Sequence, residues 1–268
     1  ATSVLEPMVQ LYRVTADRRY LAFARYLVAA WDEPGGPGIV ALLLQGRPLP
    51  EVANGKAYET LANLVGLCEL AQATGERRLV RAVLAAWQDV VDKRLYATGT
   101  TSQFEYFQAD HDLRDGPYQH VGETCVTTTW IQLNLGLLQL TGQARFGDEL
   151  ERAFYNHLSA AQHPAGNDWC YFTALAGRKQ YDAGITCCHS SGPRGLALAP
   201  QAAYLRGRAR GQALLLVNTF EPSSATLLLG GQRVEVVQRS GFPHRGEASL
   251  TLRMAAPARF GLKLRVPD

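Results

Sequence analysis

Residues 61–91, LANLVGLCELAQATGERRLVRAVLAAWQDVV, decide how the chain folds. Apolar side chains fall at Leu61, Leu64, Val65, Cys68 and Ala71, then again at Val80, Val83, Leu84, Trp87 and Val91. Each series advances by three or four residues, so each segment lays one apolar stripe along one face of a helix. Between them Thr74-Gly75 supplies a glycine suited to the left-handed conformation at a helix C-terminus, which reverses the chain tightly. The stretch predicts two antiparallel helices packed as a hairpin.

The figure recurs on both sides. TADRRYL, starting at Thr15, separates a stripe at Val4, Met8, Leu11 and Tyr12 from one at Tyr20, Phe23, Ala24, Leu27 and Trp31. TGQARFG, starting at Thr141, separates Trp130, Leu133, Leu137 and Leu140 from Phe146, Leu150, Ala153, Phe154 and His157. Ser3 and Glu6 have capping-box spacing at the first helix. Turns repeated roughly 60 to 65 residues apart mean stacked supersecondary units, here an open solenoid or a closed α/α toroid. The three hairpins amount to about half of a closed double ring, so further hairpins are expected ahead of Ala1, as though the chain were cut from a longer protein. From about residue 198 the pattern changes to short β-rich runs, ALLLVNTF, ATLLLGG, RVEVVQR, ASLTLRM and FGLKLRV, set between Gly, Pro and Ser turns. The expected fold class is mainly α, an incomplete (α/α)6-toroid type over residues 1–197, followed by part of a β-sandwich over 198–268.

The 268 residues are 47% hydrophobic, enough for a large core, and carry a net charge of only +3. Without a basic block, nothing suggests a nucleic-acid partner. No apolar run reaches the roughly 18 to 20 residues of a membrane helix, so no membrane association is expected. ATSVLEPMVQ lacks the basic start and apolar stretch of a secretory leader, and five cysteines do not make a disulfide framework. Those features fit a cytoplasmic protein. Oligomeric state is left open.

Short turns at one end of the helices gather the long connections, 33–57, 94–124 and 164–190, at the other. The chemically unusual residues fall in them or at their edges: Lys56, Glu105, Asp110, His111, Glu123, Cys125, Cys170, Cys187 and Cys188. GETC (122–125) enters the Trp130 helix, where the helix terminus lowers a thiol's pKa. Cys187 and Cys188 stand side by side ahead of a Ser-Ser-Gly-Pro turn. Three sulfurs and a carboxylate suit tetrahedral zinc. The spacing is not that of a zinc finger, however, and buried cysteines often serve as small apolar side chains. Glu105, flanked by Phe104 and Tyr106 in TSQFEYFQADHD (101–112), is expected to keep its proton by partial desolvation, as a general acid requires. The plainer alternative is a solvated loop glutamate. His157 and Cys68 read as packed core residues, and His163 and His244 as turn residues.

GKAYE, FEYFQADHDL, GETC, ELERAFYNHL, WCYFTALAGRK and TCCHSSGPRG together resemble glycoside hydrolase family 127, the β-L-arabinofuranosidase-like enzymes. The resemblance runs from the first hairpin to the opening of the β region and implies an (α/α)6 toroid followed by β-sandwich modules. It implies one zinc ion held by Glu123, Cys125, Cys187 and Cys188. It further implies Cys187 as nucleophile, Glu105 as acid/base, and Glu151 and Tyr171 as sugar contacts. Lys56 stands where some members have histidine, which bears on the sugar accepted. The implied function is a retaining glycosidase acting on β-L-arabinofuranosides or a related sugar. Two alternatives stay open: a non-catalytic carbohydrate-binding or scaffold fragment with structural zinc, and a toroid lyase or epimerase with no nucleophilic thiol.

Overall fold

The computed structural model describes residues 3–116, 118–181 and 184–267. Three helical hairpins form as the repeat predicts: α1 (Leu5–Thr15) with α2 (Arg18–Trp31), α4 (Ala57–Thr74) with α5 (Arg77–Lys93), and α6 (Thr124–Thr141) with α7 (Ala144–Arg152). Between the first two lies α3 (Ile39–Leu44), and after the third come α8 (Ser159–Ala161), α9 (Cys187–Ala197) and α10 (Ala199–Ala203). Ala16, Gly75 and Gly142 end the leading helices at φ of 59°, 74° and 64°. Each N–H there returns to a carbonyl four residues back, on Tyr12, Ala71 and Leu138.

Helices α1, α4, α6 and α9 stand side by side as an inner layer, and α2, α5 and α7 back α1, α4 and α6. Burial follows that order. Helices α4 and α6 are buried on almost every face, whereas α5 buries only the stripe Leu79, Ala82, Val83, Ala86, Trp87 and Val90. Between the layers Trp87 stacks on Trp130 with ring centroids 6.2 Å apart and meets Phe146 edge-on at 4.9 Å. The Trp87 indole N–H donates 2.7 Å to the buried Asn134 side chain, so this donor is paired inside the core. The toroid-type α layer is therefore present, and Cys68 is packed within it.

Three local expectations differ from the structure. Val4, not Ser3, is the N-cap of α1, with no side-chain bond, so the Ser3/Glu6 capping box does not form. Segment 33–57 is not all loop, because Ile39–Leu44 is apolar enough to fold as a helix against α5. The expected Ser190-Ser191-Gly192-Pro193 turn lies inside α9. A capping box at Thr186 nucleates that helix ahead of the proline, and Gly192 is needed because a Cβ there would come within 2.2 Å of the Trp169 ring.

The β region forms two three-stranded sheets of order β1-β2-β6 and β3-β4-β5, from β1 (Tyr204–Ala209), β2 (Gln212–Val217), β3 (Ser223–Leu229), β4 (Gln232–Ser240), β5 (Ala248–Met254) and β6 (Gly261–Leu264). They share a core of Leu215, Val217, Leu229, Val234 and Val236, a small sandwich. Strand β1, YLRGRA, is an exposed edge rich in Arg and Gly, which gives no alternation to recognise. No described helix is long and apolar enough to cross a membrane.

Arg265 joins the two regions. Its guanidinium is buried, donates 2.6 Å to the Asn218 carbonyl, and pairs with Asp148 and Glu151 on α7. Removing one member of a buried ion pair strands its partners, at a cost of about 3–5 kcal/mol. Arg265→Met is therefore expected to lower the unfolding free energy by about that amount. Urea denaturation would measure it, and a loss below about 1 kcal/mol would show that Arg265 does not hold the regions together.

Candidate active site

Three inner helices begin at the same end of the layer, and the chemically unusual residues stand at their starts. Lys56 is the N-cap of α4, Glu123 the N-cap of α6 with Cys125 in its first turn, and Cys187 and Cys188 open α9. Helix N-termini carry partial positive charge, which favours anionic groups there. Glu123, Cys125, Cys187 and Cys188 place one donor atom each within 4.8 Å of one another. All but Cys187 are buried.

The electrostatics of this cluster are one-sided. Cys125 Sγ lies 3.4 Å from Cys188 Sγ, and hydrogen bonding from Cys188 above all brings the Cys125 thiol down to about 6. Burial, and then the charge at Cys125, push Glu123 up to about 9. Cys188 is held protonated chiefly by its bond to Cys125, and Cys187, though exposed, by partial loss of water and then by its own interaction with Cys125. Four acids at this distance share little more than one negative charge by themselves. Glu123 Oε2 is buried and has no hydrogen-bond partner. An orphaned carboxylate oxygen facing three thiols fits a soft divalent cation, and this donor set is one that zinc accepts.

Glu105 reaches the cluster from another direction. Gln103 and Tyr106 pair across a two-residue reversal, with N–H···O distances of 3.0 Å both ways. The central residues, Phe104 and Glu105, have φ of 48° and 70°. Positive φ at both positions is what Asn-Gly ordinarily supplies, and each other residue there costs about 1–2 kcal/mol. The turn is held by Ala57 N–H donating 2.9 Å to the Glu105 carbonyl, and by Phe104 N–H donating 3.0 Å to that of His120. The Glu105 carboxylate accepts 2.7 Å bonds from Lys56 Nζ and the Tyr171 hydroxyl. Tyr171 is also near enough to Cys187 to favour its thiolate. A cleft of about 300 Å³ opens beside Tyr171, lined by His120, Phe172, Arg178, Gln180 and Thr186.

Lys56, Glu105, Tyr171 and the four donors therefore meet at one place. One expectation about them fails. Glu105 does not keep its proton by desolvation, because bonds from Lys56 and then Tyr171 outweigh burial and hold the carboxyl below its ordinary range. Glu151 is not brought to this place either. It faces the β region, where Arg265 is its partner, since α7 is an outer helix that turns this face toward the sandwich. Asp110 pairs with Lys93 and Arg94, away from the cluster.

Two histidines matter more than their sequence context suggests. The helix after α7 loosens into a π-helical stretch, Ala153–Leu158, which aims the buried His157 ring at the start of α6. Its Nε2–H donates 3.0 Å to the Gly122 carbonyl and its Nδ1 lies 2.8 Å from the Thr127 hydroxyl, which fixes a neutral tautomer. His189, at the third position of α9, accepts the Thr186 N–H at Nδ1 (3.0 Å), and its Nε2 lies 2.7 Å from Asp168 Oδ1. The Thr186-x-x-His189 spacing was the available clue for His189; Asp168 had none.

Burial brings the His157 imidazole down to about 4 from 6.5. Between those values the unfolded chain takes up a proton that the folded chain refuses, so this contribution is complete above pH 6.5 and is lost as pH falls toward 4. The loss amounts to at most about 3 kcal/mol. Unfolding free energies measured at pH 7 and pH 4.5 should differ less in His157→Gln than in the wild type; equal slopes would contradict the assignment.

The stacked-hairpin layer, the trailing sandwich and a carboxylate–thiol cluster at the helix starts define the class, an α/α-toroid-type architecture followed by a β-sandwich. The family model described as "Beta-L-arabinofuranosidase, GH127 catalytic domain" matches residues 2–201, and that of the "GH127 middle domain" matches residues 214–268. The chain belongs to glycoside hydrolase family 127. It is 25% identical, over 302 aligned residues, to the non-reducing end beta-L-arabinofuranosidase of Bifidobacterium longum subsp. longum, covering 96% of this chain and 45% of that protein. Among solved structures, a GH127 beta-arabinofuranosidase matches with TM-score 0.81 and 24% identity over 97% of this chain and 41% of its own. The GH127 beta-L-arabinofuranosidase Ara127N from Geobacillus stearothermophilus T6 matches with TM-score 0.83 and 20% identity over 98% and 46%. The chain thus spans less than half the length of these relatives.

Proposed function

We propose that the chain carries the catalytic site of a retaining glycoside hydrolase for β-L-arabinofuranosides or a closely related sugar, with Cys187 as nucleophile and Glu105 as acid/base. The observation that carries this reading is Tyr171, which bonds Glu105 and faces Cys187 beside an open cleft. A nucleophile and a proton donor brought close to one another is what double displacement at an anomeric carbon needs. Family membership and the named arabinofuranosidase relatives support the reaction class and the sugar.

Glu123, Cys125, Cys187 and Cys188 would hold one zinc ion, whose charge offsets the thiolates that otherwise repel one another. The Cys187 sulfur attacks the anomeric carbon as the glycosidic bond breaks, and Glu105 gives its proton to the departing oxygen. In the second half Glu105 takes a proton from water, which displaces the sulfur and restores the starting configuration. Because Lys56 and Tyr171 hold Glu105 ionised at rest, substrate entry has to weaken the Lys56 contact before the acid can form.

Cys187→Ser should abolish hydrolysis of an aryl β-L-arabinofuranoside while the far-ultraviolet circular dichroism stays unchanged. With the same substrate, Glu105→Gln should accumulate an adduct of one pentosyl unit on Cys187, read by mass spectrometry. Full activity in Cys187→Ser sinks the nucleophile assignment, and a bound metal without turnover in the wild type leaves the scaffold reading in its place. A second prediction concerns pH. Lys56→Met removes the largest influence holding the Glu105 carboxyl low. Its pKa rises, and the alkaline fall in kcat/KM, which follows loss of the acid's proton, moves to higher pH. An unmoved limb means Lys56 does not tune Glu105.

A further inference from the structure

Residues 168–172 lie across the first turns of both helices that bear the donors. On the α6 side, Thr124 N–H donates 3.0 Å to the Tyr171 carbonyl and the Thr124 hydroxyl 2.8 Å to that of Cys170. Glu123 pairs with Phe172 as an isolated bridge. On the α9 side, Trp169 packs on Gly192, and the Asp168 carboxylate meets His189 Nε2 at 2.7 Å.

The His189 contact exceeds what capping requires. A capping box needs only an acceptor at the third helical position, which Glu or Gln ordinarily supplies. Here His189 Nδ1 takes that part, accepting the Thr186 N–H at 3.0 Å. The opposite ring nitrogen is then a donor, and it is spent on a carboxylate 21 residues earlier in the chain. That carboxylate is three residues from Tyr171, the contact between Glu105 and Cys187. Asp168 is fixed in turn, since its Oδ1 accepts the Trp169 N–H at 2.7 Å. One bond therefore ties the helix that presents Cys187 and Cys188 to the segment that presents Tyr171.

We propose that Asp168 and His189 form a positioning clasp, which holds the first turn of α9 against the Tyr171 segment and so sets where Cys187 and Cys188 stand relative to Glu123 and Cys125. The clasp rests on the functional reading above for its catalytic consequence and not for its geometry. Both side chains are partly exposed, at 31% and 21%, so replacing them opens no hole in the core.

Three substitutions separate the clasp from simple capping. His189→Gln keeps the third-position acceptor and loses the reach to Asp168. Asp168→Asn keeps an oxygen for both N–H groups, and Asp168→Ala removes it. Titration of the metal-free protein with Co²⁺, followed by thiolate-to-metal absorption, should show His189→Gln and Asp168→Ala each weakening binding about 10- to 100-fold. The double variant should lose no more than either single one, because both break the same link. Asp168→Asn should stay near the wild type, and kcat on an aryl arabinofuranoside should fall in the two weakened variants with KM unchanged. Arg265→Met, destabilised elsewhere, should bind Co²⁺ as the wild type does. Wild-type affinity in His189→Gln, or additive losses in the double variant, overturns the clasp. If the wild type itself shows no thiolate–Co²⁺ absorption, the metal reading fails, and the clasp is decided by Cys187 alkylation with iodoacetamide. His189→Gln and Asp168→Ala must then change that rate alike and Asp168→Asn must not; equal rates in all three overturn it.

Discussion

Glu123, Cys125, Cys187 and Cys188 each become negative on ionising, and their donor atoms lie within 4.8 Å of one another. Loss of water holds Glu123 and Cys187 protonated, the bond to Cys125 holds Cys188, and the one charge that forms readily, at Cys125, opposes all three. Two physical agents can relieve the conflict. The dipoles of α6 and α9 both point positive ends at the cluster, and a dication held there would supply the remainder. The helix layer is the device that brings those ends together, since antiparallel hairpins with tight turns on one side leave every inner helix starting on the other.

The same arrangement explains why the supporting bonds are so dense at the helix starts. Thr127, Thr128 and Thr124 on α6 bond to His157, to the Ser191 carbonyl of α9 and to the Cys170 carbonyl. These hydroxyls occupy positions that would be apolar in an ordinary core helix. They tie α6 to its neighbours within the first two turns, while the lower turns rest mainly on Leu133, Leu135, Leu137 and Leu138, with polar ties at Asn134 and Gly136. Precision is concentrated where chemistry is proposed.

How much of this was legible follows from what kind of signal each feature leaves. The hairpins were legible because apolar periodicity and a left-handed turn residue are local and redundant; Gly75 and Gly142 each sit where the pattern stops. The donor set was legible through the rarity of E-x-C with a later C-C, aided by the family resemblance. Strand β1 was not, because an exposed edge of Arg and Gly carries no alternation. The ionisation of Glu105 depends on Lys56, 49 residues away, and on Tyr171, 66 residues away. Its two aromatic neighbours in sequence suggested the wrong environment. Glu151 shows the same limit: its motif points to sugar, while its place on an outer helix gives it to Arg265.

The reversal at Phe104-Glu105 carries a cost for anyone who would make this chain sturdier. Asn-Gly at those two positions would relax the backbone and satisfy the same paired strands. It would also erase the carboxylate that meets Lys56 and Tyr171. A search for heat resistance guided only by folding free energy would rank that swap among the first to try, and would discard the proposed proton donor in doing so.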